Sequence, residues 1–125
     1  ASFAAGLIEA CTQVVAEQAG VLYVIHDTPM PEPLNSARPM TGIFGAAFVL
    51  SSHRSARSLA RVTLAIESRV ETMSRLPDAA LDGMRTGNAA ARALPLLAAL
   101  ARGAAGVLTF PYCHSQALRV TLEPA

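Results

Sequence analysis

The chain lacks the features that mark several common protein classes. It has no lysine, no tryptophan and only 15% charged residues, against 52% hydrophobic residues in 125. All ten basic residues are arginine, and they are spread along a chain whose net charge is +1. No basic stripe therefore exists for nucleic acid or for an anionic membrane surface, and we expect neither as a partner.

Long apolar runs and targeting signals are missing as well. Glu9, Glu17 and several prolines interrupt the apolar stretches before any reaches the length that spans a bilayer. No basic residue precedes the first apolar segment, so it does not resemble a secretory signal. The length fits one domain, and we predict a single unit over 1–125 without a membrane span.

Cysteine is scarce, since Cys11 and Cys113 are the only two. Cys11 falls inside a helical pattern, and the pair has no spacing typical of a disulfide framework. We expect both to be reduced, buried thiols in a cytoplasmic protein.

The first fifty residues predict one helix and two buried strands. Apolar residues recur at spacings of three and four over 2–19, with Ser2 as a candidate N-cap and Gly20 as a left-handed C-cap. Only one narrow polar stripe interrupts this pattern, so we expect a helix buried on most sides. Val21–Ile25 and 42–50 lack alternation, which predicts two adjacent, antiparallel inner strands joined by a stiff, extended proline-rich connection.

The remaining residues predict strands at the surface and one further helix. Alternation from Leu59 to Glu67 indicates a strand wet on one side, although the spacing of Arg54, Arg57 and Arg61 also permits a helical start. Residues 68–88 are weakly patterned, with a short helical turn around 78–81. Leu94–Arg102 fits a helix that has Pro95 in its first turn and Gly103 at its end. Short strands are predicted at Val107–Phe110 and Leu118–Leu122.

Two pairs of residues invite a chemical interpretation. Cys113 and His114 could form a nucleophile and its base, but neighbours on an extended segment point to opposite sides, so we interpret the cysteine as a buried thiol. His26 and Asp27 follow a buried strand, the place where α/β folds put ligand-binding residues. They could equally end the strand and begin the proline turn.

Other candidate motifs are incomplete. His53 and His114 have too few partners for a metal site, and no zinc-like spacing occurs. Gly42 and Gly45 precede no helix, so they do not form a phosphate loop, and 51–52 lacks the context of a nucleophile elbow. We therefore assign no catalytic, cofactor-binding or metal-binding residue and no cofactor.

Three segments together resemble a known family. They are 2–10 (SFAAGLIEA), the strand 20–25 and the turn 27–34 (DTPMPEPL). They look like the second half of a β-ketoacyl synthase-like protein, of the chain-length-factor type found in bacterial aryl-polyene and related polyketide clusters. The resemblance covers 2–50 well and 91–123 loosely, whereas 51–90 is longer and richer in arginine than it implies.

The resemblance implies a thiolase-like, layered α/β/α fold. Its central buried helix would be 2–19, followed by two inner strands, a peripheral helix and short terminal strands. It also implies a non-catalytic subunit that pairs with a ketosynthase, meets acyl carrier protein indirectly and shapes the acyl tunnel. Because Ala1 opens directly on a buried helix pattern, we expect the chain to be the C-terminal part of such a domain, docked on the N-terminal part.

Two alternatives stay open from the sequence. The chain could belong to an active β-ketoacyl carrier-protein synthase whose nucleophile lies upstream of Ala1. It could instead be a small, self-contained α/β binding module, which would be monomeric and unfold cooperatively.

Overall fold

A computed structural model describes residues 2–68, 72–113 and 115–125 of the chain, without the side chain of Ser2. Its helices are α1 (Ser2–Glu17), α2 (Leu34–Ala37), α3 (Ala79–Gly87), a 3₁₀ helix (Ala90–Ala93) and α4 (Leu94–Arg102). Its strands are β1 (Val21–Asp27), β2 (Phe44–Leu50), β3 (Ala60–Ser68), β4 (Gly106–Pro111) and β5 (Gln116–Pro124). The expected mixture of helices and sheets is confirmed at this general level.

The strands form two antiparallel sheets. β1 pairs with β2, so that Val21 lies opposite Leu50 and Asp27 opposite Phe44. This confirms the predicted antiparallel pairing. The second sheet has the order β3-β5-β4, and its middle strand is the last in the chain.

One buried cluster connects the two sheets and the helices. The ring of Phe3 in α1 lies 5.2 Å from that of Phe110 in β4 and 6.2 Å from that of Phe48 in β2. Leu96 of α4 and Val120 of β5 complete the same cluster, and both are buried. The first helix therefore brings both sheets together around a single aromatic side chain.

The prediction of inner strands is wrong for β1 and β2. In the described residues they form a sheet of two strands, each therefore an edge strand, and burial alternates along both. Leu22, Val24 and Val49 point away from the core and are 64%, 55% and 83% exposed. The lack of alternation in these strands predicts that protein covers both faces of the sheet, but in the structure only the inward face is covered.

α1 is buried along one side only, so the prediction of a helix buried on most sides is wrong. Phe3, Leu7 and Val14 are buried, whereas Val15 is 69% exposed. The helix ends at Glu17, and the left-handed residue after it is Gln18 at φ 53°, not Gly20. The proposed N-cap side chain of Ser2 lies outside the described residues.

The C-terminal predictions agree more closely with the structure. In β3 the large apolar residues face inward and Arg61 and Thr63 face outward, as the alternation indicates. β5 has the same arrangement, with Glu123 facing outward. Helix α4 has the predicted bounds, with Pro95 in its first turn, after the 3₁₀ segment. Gly103 caps it in the left-handed conformation at φ 61°.

Two connections are more regular than predicted. The 68–88 region contains all of α3, whose N-cap is Asp78: its carboxylate accepts bonds from the amides of Ala80 (2.9 Å) and Leu81 (3.0 Å). The proline-rich connection contains the short helix α2 instead of staying extended. Residues 54–59 contain one turn at 56–57 and no helix, so the alternative helical start there is wrong. No helix of the described part of the chain has the length and apolar composition to cross a membrane.

Candidate functional site

The outward face of the β1–β2 sheet is an exposed surface that is mostly apolar. We call it the ribbon face, and its members are Leu22, Val24, His26, Gly45, Ala47 and Val49, all exposed. The pairing places Leu22 opposite Val49 and Val24 opposite Ala47, so the apolar residues adjoin one another. Contiguous exposed apolar residues are typical of a contact surface.

The inward face of the same sheet is held by Tyr23. Its ring stacks beside Phe3 and Phe48, with centroids 6.2 and 6.1 Å away. Its hydroxyl donates a hydrogen bond to the carbonyl of Phe3 at 3.0 Å, and burial raises the pKa of this phenol. The ring crosses α1 at Gly6, where a β-carbon would come within 2.5 Å of the hydroxyl oxygen. Gly6 thus permits the close approach that orients the ribbon face outward.

A groove of about 650 Å³ separates α1 from the free edge of β3. The side chains of Ile8, Cys11 and Val15 line it on the helix side, and Val62, Leu64 and Ile66 line it on the strand side. Ile66 is 47% exposed although it faces inward along the sheet. The groove is therefore an apolar channel open to solvent.

The two cysteines are free and lie in different surroundings. Cys11 is half-buried in the groove, and burial raises the pKa of its thiol, which disfavours the reactive thiolate. Cys113 is exposed, so its interpretation as a buried thiol is wrong. The pairing of Cys113 with His114 falls outside the described residues, because His114 is not among them.

His26 and Asp27 do lie at the end of a strand, but they belong to different faces. His26 is exposed on the ribbon face, and Asp27 is half-buried on the inward side. The backbone carbonyl of Asp27 accepts a hydrogen bond from the side-chain amide of Asn88 at 3.3 Å. At this strand end, the hydrogen bond from Asn88 therefore holds the backbone of β1 in place.

Asn88 is a buried polar residue that the sequence analysis did not single out. Only 2% of it is exposed, and its amide also donates to the carbonyl of Gly42 at 3.1 Å. Its side-chain oxygen accepts from the amide of Ala90 at 2.9 Å. Asn88 therefore joins the end of β1, the approach to β2 and the start of the 3₁₀ helix. An asparagine shortly before an alanine-rich segment is a sequence signal for an N-cap. Its bonds to carbonyls 46 and 61 residues away have no corresponding signal in the sequence.

The remaining motif residues lie apart from this anchor or contribute backbone to it. His53 is exposed in the turns after β2, beside 51–52. Gly42 has φ +75° and supplies the carbonyl that Asn88 binds, whereas Gly45 lies within β2.

No protein-family model, curated protein or solved structure matches the chain. The likeness to ketosynthase-like proteins thus remains an interpretation of residues 2–50 and 91–123. The geometry of the chain offers two apolar surfaces, the ribbon face and the groove.

Proposed function

We propose that the chain acts as a non-catalytic ketosynthase-like subunit of the chain-length-factor type. In this proposal it lies in the cytoplasm, pairs with a ketosynthase and helps to shape the acyl tunnel in polyketide or aryl-polyene biosynthesis. The chain would contribute the C-terminal part of a thiolase-like domain, with its N-terminal part and the ketosynthase as partners.

One observation carries the proposal: the ribbon face is apolar and exposed. Val49 is 83% exposed and Leu22 64%, although both lie in strands. A layered α/β/α fold places a further layer of protein against such a face. A self-contained module gives no reason to keep three large aliphatic side chains in water on one small sheet. The order of helix, strand and antiparallel strand also follows the segments on which the resemblance rests.

The mechanism needs no nucleophile from this chain. A tunnel bounded by bulky apolar side chains measures a growing acyl chain by steric exclusion. Each further methylene that a pocket accepts changes the binding free energy by roughly 0.8 kcal/mol. Forcing one more group against a closed end costs about 1–3 kcal/mol, which suffices to favour release at one length.

Co-purification with a ketosynthase encoded in the same gene cluster tests the ribbon face. Val49→Asp should abolish the association, because it places a charge in an apolar contact. Val107→Asp is the matched control: Val107 is also an exposed strand valine, at 56%, but it lies in β4 on the other sheet. Circular dichroism should find both variants folded. If both variants co-purified with the ketosynthase to the same extent, the ribbon face would not be the contact surface.

Mass spectrometry of the intact protein separates the proposal from its main alternative. The chain with its full upstream sequence is incubated with acylated carrier protein. No covalent acyl adduct is expected on a non-catalytic subunit. A stable adduct would instead identify an active synthase, whose cysteine the upstream sequence would reveal.

A further inference from the structure

The three-stranded sheet has one closed edge and one open edge. The β4 edge is closed by Ser74: the amide of Thr109 donates to its hydroxyl (2.8 Å), and its own amide donates to the carbonyl of Thr109 (3.0 Å). Pro111, at the end of β4, has no N–H to offer a further strand. β3 pairs with β5 along its whole length, and within 2–68, 72–113 and 115–125 no backbone partner occupies its other edge. An unpaired edge of this kind is a template for another strand.

The nine residues of β3, ARVTLAIES, are complementary to themselves in the antiparallel direction. A two-fold axis through Leu64 pairs the entire strand with the same strand of a second copy. It places Arg61 opposite Glu67 of that copy, Val62 opposite Ile66 and Thr63 opposite Ala65. Opposite charges facing each other across a strand pair stabilise it.

The faces of the two strands also agree in this register. Residues directly opposite in an antiparallel pair point to the same side, so the inward Val62, Leu64 and Ile66 of both copies form one continuous apolar layer. A shift of one residue would set apolar side chains of one copy beside polar side chains of the other. A shift of two residues keeps the faces but moves Glu67 away from Arg61, and the ion pair is lost.

The groove lies where the additional strand would lie. Its strand side is the β3 edge, and its helix side carries Ile8, Cys11 and Val15 of α1. The inward side chains of an added strand would face these apolar groups. They would also cover Ile66, which is 47% exposed without them.

We propose that β3 pairs with β3 of a second copy of this chain about a two-fold axis at Leu64, producing a continuous six-stranded sheet of order β4-β5-β3-β3-β5-β4. This homodimer is independent of the function proposed above, since it uses the β3 edge and not the ribbon face. An isologous contact of this kind closes on itself and forms no fibre.

Cross-linking tests the axis directly. In a Cys11→Ala, Cys113→Ser background that sedimentation analysis finds dimeric, Leu64→Cys places each thiol opposite its own copy, with β-carbons about 4.5–5.5 Å apart. Mild oxidation should convert most of the protein to a covalent dimer. Arg61→Cys is the matched control, because the two copies of that residue would lie about 20 Å apart. A monomeric protein, or a dimer that does not cross-link through residue 64, would overturn the proposal.

Charge reversal provides a second test that does not alter the apolar face. Arg61→Glu or Glu67→Arg alone sets like charges opposite each other twice per dimer, so the dimer dissociation constant should rise roughly tenfold. The double variant restores the pairing and should return that constant to near its original value. Within one chain Glu67 also contacts Arg119 at 3.4 Å, and Arg61 lies opposite Glu123. If intrachain effects were responsible, the double variant would be the weakest dimer, and that result would refute the register.

Discussion

Replacing Gly6 by alanine should destabilise the protein, although the same change usually strengthens a helix. Within α1, alanine would gain about 1 kcal/mol of helix propensity over glycine. Its β-carbon, however, would lie 2.5 Å from the hydroxyl oxygen of Tyr23 and 2.9 Å from two ring carbons. Tyr23 must then move away from Phe3 and lose its hydrogen bond to that residue's carbonyl.

The magnitude follows from those two losses. Overpacking costs about 1–3 kcal/mol, and the lost hydrogen bond costs about 0.5–1.5 kcal/mol. After the helix gain is subtracted, we expect the free energy of unfolding to fall by about 0.5–3.5 kcal/mol. Equilibrium urea denaturation followed by circular dichroism measures this change through the transition midpoint.

Gly83 provides the matched control. It also lies within a helix, α3, but a β-carbon there would meet nothing within 4 Å. Gly83→Ala should therefore stabilise the protein by up to about 1 kcal/mol. In a Tyr23→Phe background the nearest clashing atom is absent, so the cost of Gly6→Ala should become smaller without vanishing. If Gly6→Ala were as stable as Gly83→Ala, the packing of Tyr23 across α1 described here would be refuted.

Two other side chains give predictions of different kinds. Asn88→Ala removes the hydrogen bonds to the carbonyls of Asp27 and Gly42 and leaves the buried amide of Ala90 unpaired. The free energy of unfolding, measured by urea denaturation, should therefore fall by about 2–4 kcal/mol. A loss below about 0.5 kcal/mol would contradict its role as an anchor. The pKa of Asp82 is lowered, first by the hydrogen bond from Arg85 (2.7 Å) and then by the backbone amide of Leu76. Because the folded pKa is the lower one, this contribution to stability is present above about pH 4 and is lost as the pH falls through the folded pKa. Asp82→Asn should therefore lose less stability than the unaltered chain between about pH 5 and pH 2. Parallel pH profiles would contradict this assignment.

Local patterns predicted most of the secondary structure because local physics decides it. The alternation over Leu59–Glu67 identified β3 and its wet face, since successive strand residues point to opposite sides. Helix α4 was predicted with its bounds, because proline suits a first turn and glycine a left-handed cap. α3 was underestimated, since only its first turn was expected. Its N-cap Asp78 lay in the predicted turn, but the rest of the helix has little apolar periodicity and no buried residue.

The candidate surfaces were less predictable. The strands β1 and β2 have apolar residues at successive positions. Such a run fits a strand that is covered on both faces, but it fits equally a strand with one covered face and one exposed apolar face. The sequence analysis did not single out Asn88, because its value as an anchor depends on carbonyls 46 and 61 residues away. The groove likewise joins α1 to a strand more than forty residues later in the chain.

The amino-acid sequence alone determined that α1, α4 and the five strands form and which side of β3 is apolar, because periodicity and capping act between residues a few positions apart. Only the tertiary structure decided that the ribbon face is exposed and that Gly6 accommodates Tyr23. It also decided that, among the described residues, the β3 edge is unpaired while Ser74 covers the β4 edge. Those properties depend on which distant segments come into contact, and that is settled by packing around Phe3, which no local pattern records.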